Sequence, residues 1–207
     1  MTIWIIGIIL FGYLVGCLHG STVAQWFSGV NLKESGVKNA GASNATIVLG
    51  KRFGALVAII DIGKGIFAIL AVRFIAERVG FSVESLTALL FLVSVAVVFG
   101  HNFPFHMKFN GGKGTATIIG VLFALDWRFG LAGLLLFIIF ALLTDILVFG
   151  VLMLYGTFLA AAIWMVGVWP IVIAIALFVM AIWKHGENIQ RIRNGTEPRI
   201  RAVFKKK

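Results

Sequence analysis

Gly111, Gly112, Lys113 and Gly114 run straight into an apolar stretch beginning at Thr115, and that order of residue types suits the capture of an anion. Glycines let successive backbone N–H groups converge, a following helix N-terminus adds positive potential, and a lysine supplies a full charge. The chemistry implied is phosphate binding. The segment is not a Walker loop, because Met107 stands at the place of its first glycine and Gly114 at that of its Ser or Thr. The plainer reading of the same residues is a glycine-rich helix start with a lysine facing water.

Two further polar clusters accompany it. Residues 27–52 are rich in Gly, Ser, Asn and Lys, with Lys38, Asn39, Gly41, Ala42, Ser43 and Asn44 at the centre. A loop of that length is usually functional or disordered, and the alternation of small and amide residues favours order. In WKHGENIQRI, from Trp183 to Ile192, His185 and Asn188 are three apart and share one helical face. His101 closes an apolar run beside Asn102; a lone histidine in that position is more often structural than catalytic. Asp61 and Lys64 lie at i and i+3 inside another apolar run, where buried charges are costly and normally paired, so a mutual structural ion pair is the preferred reading. There is no GxSxG nucleophile elbow, HExxH or CxxC, and no histidine is followed by an aspartate five residues on, so neither a serine triad nor a metal site is expected. No cofactor is implied.

Elements that position these clusters follow from composition. The 207 residues are 60% hydrophobic and 13% charged, with a mean hydropathy of +1.04. Ordinary soluble domains carry about twice that share of charge, and a core of this size cannot bury so much apolar surface. Lipid must therefore solvate much of it, which predicts an all-α membrane bundle forming one domain over residues 1–207. The single cysteine, Cys17, has no intrachain partner. No basic segment precedes the first apolar run and no small-residue cleavage site follows it, so that run is read as a span and not a removable signal.

Spans need about 20 apolar residues each. They are expected at about 2–26, 53–76, 85–105, 129–144 and twice within 146–183, the last pair parted by Gly167, Trp169 and Pro170; a short helix is expected at 114–125. About seven spans put the termini on opposite sides. Fourteen of the 18 Lys and Arg fall on the side of the three polar clusters, including the tail residues Arg191 to Lys207; Arg73, Arg78 and Arg128 fall opposite. Lysine and arginine in short loops stay in the cytoplasm, which predicts an outside N-terminus and a cytoplasmic C-terminus. The charge of +10 is thereby explained without nucleic acid.

The segments GHNFPFHMKFNGGKGTAT, DIGKG, NAGASNAT and HGENIQRI, together with GTEP in the tail, resemble the bacterial acyl-phosphate-dependent glycerol-3-phosphate acyltransferases over nearly the whole chain. GH-FP-----F-GGKG is the most specific piece. The resemblance implies a seven-span enzyme of the bacterial cell membrane that faces the cytoplasm and takes acyl phosphate and glycerol 3-phosphate, with membrane lipid around it. It implies catalytic roles for Lys113, His185 and Asn188. Substrate binding is expected of Lys38, Asn39, Gly41, Ser43, Asn44, His101, Gly111, Gly112 and Gly114. Three positions depart from the family pattern. Val37 stands where the family has a serine, Ile47 where it has an arginine, and Val148 where it has a second serine. Lys38 offers a nearby charge, though a lysine does not reproduce a bidentate guanidinium.

Overall fold

The computed structural model describes the backbone of residues 1–205 and the side chains of residues 1–202; the tail lysines Lys205, Lys206 and Lys207 lie outside the described side chains. The described residues form eleven α-helices and no strand: α1 (Thr2–Gly16), α2 (Gly20–Ser28), α3 (Ala42–Leu49), α4 (Lys51–Val79), α5 (Val83–Asn102), α6 (Thr115–Leu125), α7 (Trp127–Thr144), α8 (Leu147–Trp164), α9 (Val168–Lys184), α10 (Gly186–Arg193) and α11 (Ile200–Lys205). The all-helical membrane bundle expected from composition is what forms. Outward faces carry Leu, Ile, Phe and Trp that only lipid can solvate, such as Ile3, Phe67 and Leu143. Exposed aromatics cluster at the helix ends: Trp26, Phe27, Phe105, Phe109 and Trp183 by the polar loops, and Trp127, Trp164 and Trp169 opposite. Such belts mark the two membrane–water interfaces.

Among the described residues, five stretches are singly long and apolar enough to cross a membrane: residues 2–28, 51–79, 83–107, 127–144 and 147–164. Helix α9 meets the same length and composition only when counted together with α10, across a 48° bend. Helix α6 has 11 residues, about 16 Å of rise, and does not span a 30 Å core on its own. Its start packs at the level of Lys64 and its end is held at Leu125 O by Arg73 Nη2, 2.9 Å away.

Three expectations are corrected. The first run is not one helix over 2–26: the chain breaks at Cys17–His19 between α1 and α2, because the carbonyls of Gly16 and Leu18 turn to accept hydrogen bonds from Lys64. Residues 27–52 are not all loop, since 42–49 form α3, started at extended Gly41 and ended at Gly50 with φ 90°. The final turn lies at 165–167, with Gly167 at φ 107°, while Trp169 and Pro170 belong to the first turn of α9, where a missing N–H costs nothing.

Glycines let the helices cross closely. A Cβ on Gly16 would lie 2.9 Å from the Gly100 Cα, joining α1 to α5; one on Gly65 would lie 3.1 Å from the Val121 nitrogen, joining α4 to α6. Close approach through small residues drives helix association where lipid removes the hydrophobic incentive. Gly100 precedes His101 and Lys64 precedes Gly65, so the two crossings also fix the polar residues between them.

Candidate active site

Where α1, α4 and α5 meet, four buried polar side chains join. Lys64 Nζ lies 2.9 Å from Asp61 Oδ1 and 2.8 Å from His101 Nδ1, and donates to Gly16 O at 2.9 Å and Leu18 O at 2.6 Å. Asp61 Oδ1 also accepts from Gly20 N at 3.2 Å, while His19 Nε2 donates to His101 O at 2.9 Å and stacks on its ring at 4.5 Å. The Asp61–Lys64 pair expected from the sequence is therefore part of a larger network. An ammonium only donates, so His101 Nδ1 accepts and its proton resides on Nε2, pressed against Gly112. Donor atoms of His19, Asp61 and His101 lie within 4.8 Å of one another, the spacing of a metal site. Lys64 already supplies the positive charge there.

Above this floor the three polar loops enclose a cavity of about 440 Å³, within the usual range for small-molecule sites. Its lining includes Asp61, His101, Lys113, Gly114, His185 and Asn188, and from the first loop Asn39, Gly41 and Ser43. Gly111 and Gly112 do not line it. They are packed beneath, and a Cβ on Gly111 would lie 2.6 Å from Pro104 Cδ. Gly114 adopts φ 80° at the start of α6, a backbone region that favours glycine.

Asn44 and Lys38 also stand outside the lining. Asn44 is fully buried; the two N–H groups of its Nδ2 are shared among Leu32 O at 2.8 Å, Ser35 O at 3.0 Å and Asn39 O at 2.9 Å, and its Oδ1 accepts from Val37 N at 2.9 Å. One amide thus fastens the loop from 32 to 39, with none of its groups left for a substrate. Lys38 is exposed and has φ 54° in the turn closed by its N–H to Ser35 O. Val37, Ile47 and Val148, the three departures, all line the cavity.

On the opposite wall Lys113 Nζ donates to Asn188 Oδ1. Asn188 Nδ2 donates to Glu197 Oε1 at 2.6 Å, and Arg191 Nε donates to Glu197 Oε2 at 2.8 Å. Burial pulls the Lys113 ammonium down from the usual lysine range to about 8, opposed by the charge of Glu187. His185 sits at the α9–α10 bend, where its Nδ1 donates to Ala181 O at 2.8 Å, leaving Nε2 as an acceptor. This wall thus pairs a cation with an acceptor imidazole.

Arg191, Glu197, Lys51 and Thr46 line the cavity too and had no role assigned from the sequence. Arg191 was legible as the residue one turn beyond Asn188, and GTEP as a shared tail motif. Nothing in the spacing shows that the tail folds back onto the loops.

Residues 6–195 match the family model described as "Glycerol-3-phosphate acyltransferase". Glycerol-3-phosphate acyltransferase 1 of Oceanobacillus iheyensis is 41% identical over 198 residues, covering 96% of each chain. Glycerol-3-phosphate acyltransferase 2 of Thermotoga maritima is 33% identical, covering 95% of this chain and 96% of its own. A crystal structure of PlsY, an integral membrane glycerol 3-phosphate acyltransferase in its glycerol 3-phosphate form, superposes with a TM-score of 0.83 at 31% identity, covering 95% of both chains. With its fold and nearly its whole length matched, the chain belongs to the glycerol-3-phosphate acyltransferase family.

Proposed function

We propose that this protein transfers an acyl group from acyl phosphate to the sn-1 hydroxyl of glycerol 3-phosphate, forming lysophosphatidic acid in the first step of phospholipid synthesis. The observation that carries the reading is the convergence of Lys113, His185 and Asn188 on one cavity with the first loop, in a chain of this family. The sn-1 oxygen attacks the acyl carbonyl carbon, the bond from that carbon to the phosphate oxygen breaks, and the hydroxyl proton leaves on the departing phosphate. Acyl phosphate is already activated, so no enzyme nucleophile is required. Lys113 holds phosphate charge, Asn188 and the His185 Nε2 acceptor orient the glycerol hydroxyls, and Gly114 sets the N-terminus of α6 beside the anion. The cavity faces the cytoplasm of a bacterial membrane, in keeping with the basic residues gathered around it.

One observation favours a variation. Val37, Ile47 and Val148 make apolar the wall that the family arms with two serines and an arginine, which suits a related phosphate-bearing acceptor with less polar substituents. The deciding experiment supplies purified protein with long-chain acyl phosphate or acyl thioester and with glycerol 3-phosphate. Lysophosphatidate formed from acyl phosphate alone is expected. Release from the thioester alone overturns the donor, and no product from folded protein overturns the reaction.

A further inference from the structure

Among the described residues, Asn188 is the one cavity amide held from both ends by groups of opposite hydrogen-bonding character. Lys113 can only donate and meets Oδ1; the Glu197 carboxylate can only accept and meets Nδ2 at 2.6 Å. An amide flipped end for end would set N–H against ammonium and carbonyl against carboxylate. Glu197 is buried, with its side chain 6% exposed, and it is reached through the tail, which is fastened by Arg201 N to Asp145 Oδ1 at 2.8 Å. Its second oxygen fixes Arg191 Nε at 2.8 Å, leaving the outer guanidinium nitrogens of Arg191 for the cavity that this residue lines. Glu187 does not share this role, since it is 75% exposed and 3.9 Å from both Lys113 and Arg191.

A carboxylate placed in a site for phosphate opposes binding by charge alone. Its burial there calls for a compensating function, and the geometry supplies one. We propose that Glu197 is a positioning residue, which the folded-back tail inserts to fix the Asn188 amide and the Arg191 guanidinium for the glycerol phosphate, so that Arg191 supplies on this wall the guanidinium that Ile47 lacks on the other. The inference rests on the reading of the cavity as a glycerol 3-phosphate site.

Charge and positioning predict opposite signs for Glu197→Gln. By charge alone, removing an anion tightens the binding of a dianion. By positioning, the neutral amide no longer fixes Asn188 or Arg191, and binding weakens by about tenfold, the scale of one charge-assisted hydrogen bond. A pH signature accompanies it. Lys113 faces Glu187 and Glu197 as anions and Arg191, Lys184 and His185 as basic neighbours, so removing Glu197's charge makes the ammonium lose its proton at lower pH. Glu197→Asp keeps the charge on an adjustable tail and restores both properties in part.

The test is calorimetric titration of glycerol 3-phosphate into the full-length protein in micelles, from pH 6.5 to 9.5, for wild type, Glu197→Gln and Glu197→Asp, with thermal midpoints recorded. The expected result is a Kd about tenfold higher for Glu197→Gln, an alkaline loss of binding displaced to lower pH, and partial recovery in Glu197→Asp. Equal or tighter binding by Glu197→Gln, or equal weakening in both variants together with a fallen thermal midpoint, overturns the positioning role. Wild-type binding without turnover overturns acyl transfer and leaves this inference standing; absence of wild-type binding overturns both.

Discussion

Lys113 and Asn188 lie 75 residues apart in sequence, yet the ammonium of one donates to the side-chain carbonyl of the other in the wall of the cavity. The bond joins the glycine loop before α6 to the first turn of α10, so each element helps to hold the other's functional side chain. Substitution of either residue by alanine should therefore not add to the other. Each single change is expected to lower kcat/KM for glycerol 3-phosphate by about a hundredfold, and the double change by far less than the product. A double-mutant cycle measured on acyl transfer checks this; strict additivity would show that the two act separately.

The pH dependence follows from the same lysine. Burial holds Lys113 at about 8 in the free protein, so it is cationic below that pH and neutral above it. A phosphate monoester becomes a dianion above about pH 6. Between those limits both partners are fully charged. KM for glycerol 3-phosphate should be lowest from about pH 6.5 to 7.5 and rise as pH passes 8. A KM that stays flat to pH 9.5 contradicts a role for this ammonium in binding.

Asp61 and Lys64 answer to a different measurement. Both are buried among α1, α4 and α5, and the bond network includes the carbonyls released at the α1–α2 break. Lys64→Met leaves the Asp61 carboxylate without its cation and is expected to cost about 3–5 kcal/mol in stability. The paired change Asp61→Asn with Lys64→Met, which leaves no lone charge, should recover a large part of that loss. Thermal unfolding in detergent with matched lipid distinguishes the two; similar midpoints for the single and paired variants would remove charge pairing as the reason.

Much of this architecture was legible in the chain. Apolar runs gave the bundle, and the lopsided placement of lysine and arginine gathered three polar loops on one side. The glycine loop and the His185–Asn188 spacing marked residues that do meet in the cavity. What was hidden depends on contacts between distant elements. Hydropathy does not register the helix break, because residues 2–28 pass as one apolar stretch and the break is opened by a lysine 46 residues from Leu18. Asn44 looks like a ligand by residue type and is fully spent on its own loop. Glu197 reaches the cavity only because the tail turns back.

The departures of the first loop give a gain-of-function expectation. Val37 and Ile47 line the cavity, so polar groups placed there would face the substrates. Val37→Ser with Ile47→Arg should raise kcat/KM for glycerol 3-phosphate by about tenfold, the worth of one added charge-assisted contact. An unchanged or lower rate for these substrates, with a higher rate for a less polar phosphate-bearing acceptor, would assign the apolar wall to acceptor choice.

The central claim is that glycerol 3-phosphate is acylated in the cavity built around Lys113. The most direct measurement is lysophosphatidate release by purified protein given long-chain acyl phosphate and glycerol 3-phosphate, wild type beside Lys113→Ala. Release by the wild type and a fall of about a hundredfold or more in the variant is the result predicted. Release undiminished by Lys113→Ala, in protein of unchanged thermal midpoint, would place the chemistry elsewhere and contradict it.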